Sequence, residues 1–294
     1  TVRIALLGDS MVEALQVPFE KNAGQLLEKR LNAKQEVALP GERVEVLNFG
    51  TSNYSVGQYL LVWENIAAQC KPDYVFVFVA GIQIRRNPTA QELGAFPATE
   101  KESLSVRPTF GIVDGRLVRT PAKDFERFEE IQERLIRDEF DGSRVRAKPH
   151  RCFILDYMIW PAYNVLVKLQ DYATGRVLSV PITDEMIAIT KGILDVMDEE
   201  VRGVGAKFIV VDCCTYFDSS WKNASDALRA HCSQRAMGYL DLSAVLAKAN
   251  ASGVVTRWPN DLHFNEAGNR LFADAMMDWF KAHSATSTSV LSSN

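Results

Sequence analysis

Two short segments near opposite ends of the chain hold side chains whose types and spacing suit acyl transfer. An apolar stretch over residues 2–7 leads into Ser10, and Asp261 and His263 stand two positions apart near the other end. A serine hydroxyl becomes an effective nucleophile when an imidazole removes its proton and a carboxylate orients that imidazole. The residue types therefore predict Ser10 as nucleophile, His263 as general base and Asp261 as orienting acid. Taken alone, Ser10 also fits a turn with a helix cap, and His263 a capping or core histidine.

The elements that must bring these residues together alternate between strand and helix patterns. Apolar-rich segments predict strands over 2–7, 44–49, 207–212 and 239–242, and the unbroken apolar run over 74–79 predicts a strand buried on both faces. Helices are predicted over 25–31, 57–70, 183–203 and 265–282. Repeated units of this kind predict an α/β fold: a doubly wound, flavodoxin-like, three-layer αβα sandwich with a mainly parallel sheet. Because parallel strands end at one crevice, Ser10 and His263 are expected to meet there.

The alternation breaks between about 84 and 182, which we interpret as an insertion in a single domain over 1–283. Asp114-Gly115 predicts a two-residue hairpin turn within 112–118. A charged helix is expected over 124–140, and a kinked helix or two pieces over 153–169. The insertion either packs over the crevice or is a structural cap remote from substrate. The Ser/Thr-rich tail over 284–294 is expected to be flexible.

Composition excludes several classes of protein. The 294 residues are 47% apolar and 24% charged, which is typical of a folded globular chain. A net charge of −4 and a pI near 5.7 argue against a nucleic-acid partner. The five cysteines form no CxxC pair, so no metal site is expected. No apolar run is long enough to span a membrane. We expect a soluble domain, extracytoplasmic if a leader or anchor precedes Thr1; compartment and oligomeric state are left open.

Three short sequence motifs, taken together, indicate a family more specifically than the motif at either end of the chain does alone. Gly8-Asp9-Ser10, then Asn48-Phe49-Gly50, then Asp261-x-His263-Phe-Asn-x-x-Gly268 occur in this order at predicted strand ends or before the last helix. This pattern resembles the SGNH (GDSL-type) hydrolase superfamily over essentially the whole chain outside the insertion. The resemblance implies that Ser10, His263 and Asp261 form a catalytic triad. A spacing of three before His263 falls on Asn260, which cannot carry the required charge.

The resemblance also implies an oxyanion hole, whose third donor is not obvious here. The Ser10 N–H and the Gly50 N–H correspond to two donors of the family. The family's third block usually supplies an asparagine, whereas this chain reads Gly81-Ile82-Gln83. Gln83 fills the role if its longer amide reaches back; if Ile82 occupies the site, one donor is lost. The other candidates for the third donor are Asn87 and Asn53. Asp9 is expected to have a structural role, in which its side chain accepts hydrogen bonds that hold the turn at Ser10.

The implied activity is hydrolysis of acyl or acetyl esters, including those on carbohydrates or lipids, without a metal or organic cofactor. An O-acyltransferase would use the same triad. A catalytically weak or inactive binding or scaffold protein is the alternative that the altered third block favours. A nucleotide-binding protein is disfavoured because the segment after the first strand lacks a Gly-x-Gly-x-x-Gly pattern.

Overall fold

The computed structural model of this chain describes residues 1–33, 37, 39–40, 43–88, 107–123, 126, 181–214, 219–259, 261 and 263–288. Contacts divide the chain into two compact units. The first comprises Thr1–Pro88, Phe110–Arg119 and Ile182–Asn294; the second comprises Thr89–Thr109 and Thr120–Pro181. Most of the second unit lies outside the described residues, and with it the predicted elements over 124–140 (apart from residue 126) and 153–169 and the predicted cap.

A five-stranded parallel sheet forms the centre of the first unit. Its strands are β1 (Val2–Gly8), β2 (Val44–Gly50), β3 (Tyr74–Val79), β6 (Lys207–Asp212) and β7 (Gly238–Asp241), in the spatial order β2-β1-β3-β6-β7. All four neighbouring pairs are parallel. Every residue of the central strand β3 is buried, as its unbroken apolar sequence predicts. The predicted α/β fold with a mainly parallel sheet is confirmed.

Helices flank this sheet in two groups. The helices are α1 (Ser10–Glu13), α2 (Ala23–Ala33), α3 (Val56–Asn65), α4 (Gly81–Arg86), α5 (Asp184–Gly203), α6 (Ser219–Gln234), α7 (Leu242–Ala251) and α8 (Glu266–Thr288). Helix α8 packs against α2 and α7, and α5 packs against α3 and α6. Aromatic side chains of α8 cover β3: the Phe280 ring lies 5.7 Å from Phe76, and the Phe272 ring 5.8 Å from Phe78.

Element boundaries differ from the sequence prediction by one or more residues at several places, and three of these differences bear on the local structure. Helix α3 ends at Asn65, and a separate 3₁₀ turn covers Ala67–Cys70 because Ile66 between them has φ −133°. The last strand ends at Asp241, whose side chain accepts a 2.9 Å hydrogen bond from Ala244 N and so begins α7 instead. Helix α8 continues to Thr288, so it takes in the first residues of the predicted tail.

The predicted hairpin is confirmed. Strands β4 (Thr109–Val113) and β5 (Arg116–Thr120) pair through a turn in which Asp114 and Gly115 have φ of 50° and 73°. Two consecutive positive φ angles are the mark of a type I′ turn. The Phe110 ring fills the space beside Gly57 of α3: a methyl group on Gly57 would lie 2.2 Å from it. This part of the predicted insertion therefore packs within the first unit.

Candidate active site

The turn that carries Ser10 is set by the residues on either side of it. Strand β1 ends at Gly8, and a side chain there would lie 2.2 Å from Val12 Cγ2, so only glycine allows α1 to turn back this closely. Asp9 is the N-cap of α1, and its Oδ1 accepts a 2.9 Å hydrogen bond from Met11 N. Ser10 is thus the first helical residue, with an N–H that has no partner within its helix.

The structure brings the nucleophile and base candidates into direct contact. His263 Nε2 lies 2.7 Å from Ser10 Oγ, although the two residues are at opposite ends of the chain. On the other side of the ring, Nδ1 lies 2.5 Å from Asp261 Oδ1, which also accepts the His263 N–H at 3.0 Å. Serine, imidazole and carboxylate therefore form one hydrogen-bonded chain, the arrangement in which a histidine can take a serine proton.

Backbone contacts hold the histidine loop in place. Trp258 N donates to His263 O at 3.2 Å, and Asp261 N donates to Trp258 O at 3.2 Å. Asn265 extends this bracing, since its Oδ1 accepts a 3.0 Å hydrogen bond from Gly268 N at the start of α8. The loop is therefore tied to α8. Asn260 lies outside the described residues.

Solvent reaches the two carboxylates next to the nucleophile and base very differently. The Asp261 side chain is 42% exposed, so water solvates this carboxylate while it orients the ring. Asp9 is only 4% exposed. Burial raises the pKa of Asp9 above its ordinary value, opposed by the Met11 N–H, the Arg86 charge, the Gln83 amide and His263.

Three of the four predicted oxyanion or substrate-binding residues donate an N–H to another group of the protein. Gly50 N donates to Asn48 Oδ1 at 2.8 Å. Asn87 is buried between elements: its Oδ1 accepts from Gly57 N at 3.0 Å and its Nδ2 donates to Thr190 Oγ1 at 2.8 Å. These contacts stabilise the loops and helix ends around the crevice.

Gln83 is the most enclosed of the candidates, with no exposed surface. Its Oε1 accepts a 2.9 Å hydrogen bond from Ala80 N, and its Nε2 donates to Asp9 Oδ2. Ile82, one residue earlier, is only partly buried. The Gln83 amide, a candidate third oxyanion donor, therefore contacts Asp9.

Asn53 differs from the other three. It lies in the loop after β2 with φ 68°, and it makes no hydrogen bond to any residue within the described ranges. Thr51 N donates to Gly8 O at 3.0 Å, which fixes this loop to the end of β1, two residues before Ser10. The loop thus lies beside the nucleophile with an uncommitted N–H.

Sequence reasoning does not identify the roles of Asn48 and Gln83. Asn48 Nδ2 donates to Val12 O at 2.7 Å while its Oδ1 holds Gly50, so one side chain joins the end of β2 to α1. A polar side chain two residues before the end of a mostly apolar strand is the available signal for Asn48. For Gln83 the sequence carries no such signal, because Ala80, three residues earlier, has no side-chain oxygen that would mark a capping box.

Neither a membrane span nor a metal cluster stands out in the described part of the chain. None of the helices there is both long and apolar enough to cross a bilayer. No three His, Cys, Asp or Glu side chains converge among the same residues.

Comparison with known proteins rests on structure. No protein-family model matches the chain, and no curated protein sequence does. Solved structures similar to it include a lipase/acylhydrolase from Enterococcus faecalis, at 14% identity and TM-score 0.52, with 96% of each chain covered. A second is a protein of the G-D-S-L lipolytic family from Desulfitobacterium hafniense, at 10% identity and TM-score 0.51, covering 95% of this chain and 99% of that one.

A third similar structure is Axe2, an acetylxylan esterase from Geobacillus stearothermophilus, at 11% identity and TM-score 0.51, covering 95% of this chain and 94% of that one. The likeness in all three extends over nearly the full length of both chains at very low identity, so it concerns the fold. The chain therefore has the fold of the SGNH (GDSL-type) hydrolases.

Proposed function

We propose that this protein is a serine esterase that hydrolyses carboxylic esters, acyl or acetyl, through an acyl-enzyme on Ser10. The observation that carries the proposal is the 2.7 Å contact between Ser10 Oγ and His263 Nε2, with Asp261 on the opposite ring nitrogen. A nucleophile, a base and an orienting carboxylate joined in this order are what acyl transfer requires.

The proposed reaction has two halves. Ser10 Oγ attacks the ester carbonyl carbon while His263 takes the hydroxyl proton, and the ring then donates that proton to the departing alkoxide as the C–O bond breaks. Water next attacks the acyl-enzyme, again with His263 as base, and releases the carboxylic acid and free Ser10. Asp261 keeps the ring oriented through both halves.

We assign oxyanion stabilisation to the N–H of Ser10 and the backbone N–H of Asn53. Neither N–H has a partner among the described residues, whereas the Gly50 N–H is bonded to Asn48. The Gln83 and Asn87 amides each donate one N–H to the protein and are buried away from solvent. Donors that are already fixed in place stabilise a developing charge without reorganisation. Two backbone donors would give weaker stabilisation than a full set, because one donor contributes about a hundredfold or more in turnover.

The proposed substrates are acyl or acetyl esters, including those on carbohydrates or lipids. Support comes from the fold shared with an acetylxylan esterase and a lipase/acylhydrolase. The residues above are sufficient for the chemistry that we propose, so no cofactor takes part in it.

A short-chain chromogenic ester tests the proposal. We expect turnover by the unmodified protein and a fall of about a thousandfold or more in kcat for Ser10→Ala, because the nucleophile is removed. The Tm of Ser10→Ala should stay within a few degrees, since Ser10 is not part of the core. Equal rates for the two proteins would contradict the proposal and favour a binding or scaffold role.

A further inference from the structure

Asp9 and Gln83 form a buried pair directly behind the nucleophile. Gln83 Nε2 donates to Asp9 Oδ2, and the other oxygen of the same carboxylate accepts from Met11 N at 2.9 Å. The amide oxygen of Gln83 accepts from Ala80 N at 2.9 Å. A continuous line of hydrogen bonds therefore runs from the end of β3 to the first turn of α1, where Ser10 lies.

Each polar side-chain atom of this pair makes one hydrogen bond, and donors and acceptors cannot be exchanged along the line. Backbone N–H groups at both ends can only donate, so each side chain must present an oxygen to its own end. The one contact left between the two side chains then needs a donor from one of them, which in this chain is Gln83. A carboxylate at both positions would leave two oxygens facing each other.

The pair is isolated from solvent, so water would not screen the repulsion between two such carboxylates. Asp9 is 4% exposed and Gln83 is fully buried. The ionisable groups that act on Asp9 electrostatically are Arg86, on the helix of Gln83, and three groups from further elements: Tyr59, His263 and Cys213. Arg86 is the only permanent cation in this set, and it lies on the same helix as Gln83.

We propose that Gln83 is a positioning residue, which fixes the Asp9 carboxylate and through it places Ser10 Oγ against His263, and that it is not the oxyanion donor. The inference rests on the proposed function, because Ser10 must be the nucleophile for its placement to matter. It accounts for a glutamine at this position: the amide is the side chain that can accept from Ala80 and donate to Asp9 at once.

Gln83→Glu tests this role through a pH profile. The introduced carboxyl keeps the acceptor for Ala80 N but turns an oxygen towards Asp9, so the two carboxyls must share a proton. Like charge and burial raise the pKa of such a pair above the ordinary carboxyl range. The variant should therefore be active below that pKa and lose at least tenfold in kcat as the pH rises through it, a falling limb that the unmodified protein lacks.

The double variant Asp9→Asn with Gln83→Glu supplies the decisive control. It reverses the shared contact: the amide introduced at position 9 accepts from Met11 and donates to the carboxylate introduced at position 83, which still accepts from Ala80. We expect it to lose the falling limb and to recover most of the activity that Gln83→Glu loses. An oxyanion donor at position 83 would not be rescued, because an ionised glutamate side chain has no hydrogen to donate.

Asn87→Asp is the matched control for a new buried carboxylate at the end of α4. Its neighbours there are the Gly57 N–H and the Thr190 hydroxyl, whose hydrogen now goes to Met186 O and must rotate to reach the new carboxylate. Because no carboxyl is among these bonding partners, no proton has to be shared and no falling limb is expected. Ester turnover and fluorophosphonate labelling of Ser10 should be followed for every variant between about pH 5 and about pH 9, the range over which a raised carboxyl pKa would be seen. The inference would be overturned if the double variant were as impaired as Gln83→Glu, or if Gln83→Glu showed no fall in kcat with rising pH. Absence of Ser10 labelling in the unmodified protein would instead overturn the proposed function.

Discussion

At the scale of single residues, the proposed reaction depends on N–H groups and lone pairs that the fold leaves unused. Ser10 and Asn53 keep a free N–H among the described residues, while chemically similar groups nearby are bonded to the protein. The sequence predicts the types of the catalytic candidates. It does not predict which amide turns inwards, because that choice depends on contacts between distant elements such as Asp9 with Gln83.

Asn53→Gly tests the assignment of the backbone donor. Glycine retains the N–H and adopts the φ of 68° without strain, so kcat should stay within about threefold and stability should change by less than about 1 kcal/mol. Steady-state kinetics and thermal unfolding measure both. A hundredfold loss in kcat at unchanged Tm would assign the donor to the Asn53 side chain and contradict the backbone assignment.

Asp261→Asn tests the orienting carboxylate. The amide can present an N–H to His263 Nδ1 and so favour the ring tautomer that cannot accept the Ser10 proton, which should lower kcat by about a hundredfold or more. The KM for a short ester should change little, because Asp261 lies behind the ring. A variant with full activity would show that the solvated carboxylate is dispensable.

At the scale of elements, the sequence predicts best the strands and turns that depend on a local pattern of residues. The strand prediction over 74–79 matches β3 residue for residue, and Asp114-Gly115 forms the predicted hairpin turn, because each depends on a local pattern. The sequence does not predict helix α4 or the break at Ile66. Helix α4 depends on tertiary contacts. The Gln83 side chain bonds to Asp9 and to Ala80 N at the start of the helix, and the Asn87 side chain bonds to Gly57 N.

Gly50→Ala tests the close packing of the β2 end against α1. The added methyl group would lie 2.1 Å from Glu13 N, so the loop or α1 must move. We expect a loss of about 1–3 kcal/mol in the free energy of unfolding together with a large loss of ester turnover. Gly203→Ala is the control, since a methyl group there meets no atom within 4 Å. Equal stability of the two variants would contradict the packing argument.

Asn87→Ala tests whether Asn87 joins elements or acts on substrate. Removing its amide leaves the Gly57 N–H and the Thr190 hydroxyl without this partner, which should cost about 1–3 kcal/mol of stability. Below the unfolding transition, kcat should fall less than tenfold. A hundredfold loss in kcat with an unchanged Tm would instead make Asn87 the oxyanion donor.

At the scale of the whole molecule, topology explains why residues from the two ends of the chain meet. Strand β1 lies beside the centre of the parallel sheet, and α8 packs over β3, so the loop before α8 reaches the carboxyl end of β1. The alternation of strands and helices is enough to predict this arrangement. The predicted cap over the crevice lies outside the described residues and stays a prediction.

Covalent labelling with a fluorophosphonate, followed by mass mapping of the modified peptide, tests the central claim most directly. We predict one equivalent of label on Ser10 in the unmodified protein, labelling slowed by about a hundredfold or more in His263→Ala, and none in Ser10→Ala. Label on a different residue, or equal labelling of the unmodified protein and Ser10→Ala, would show that Ser10 is not an activated nucleophile.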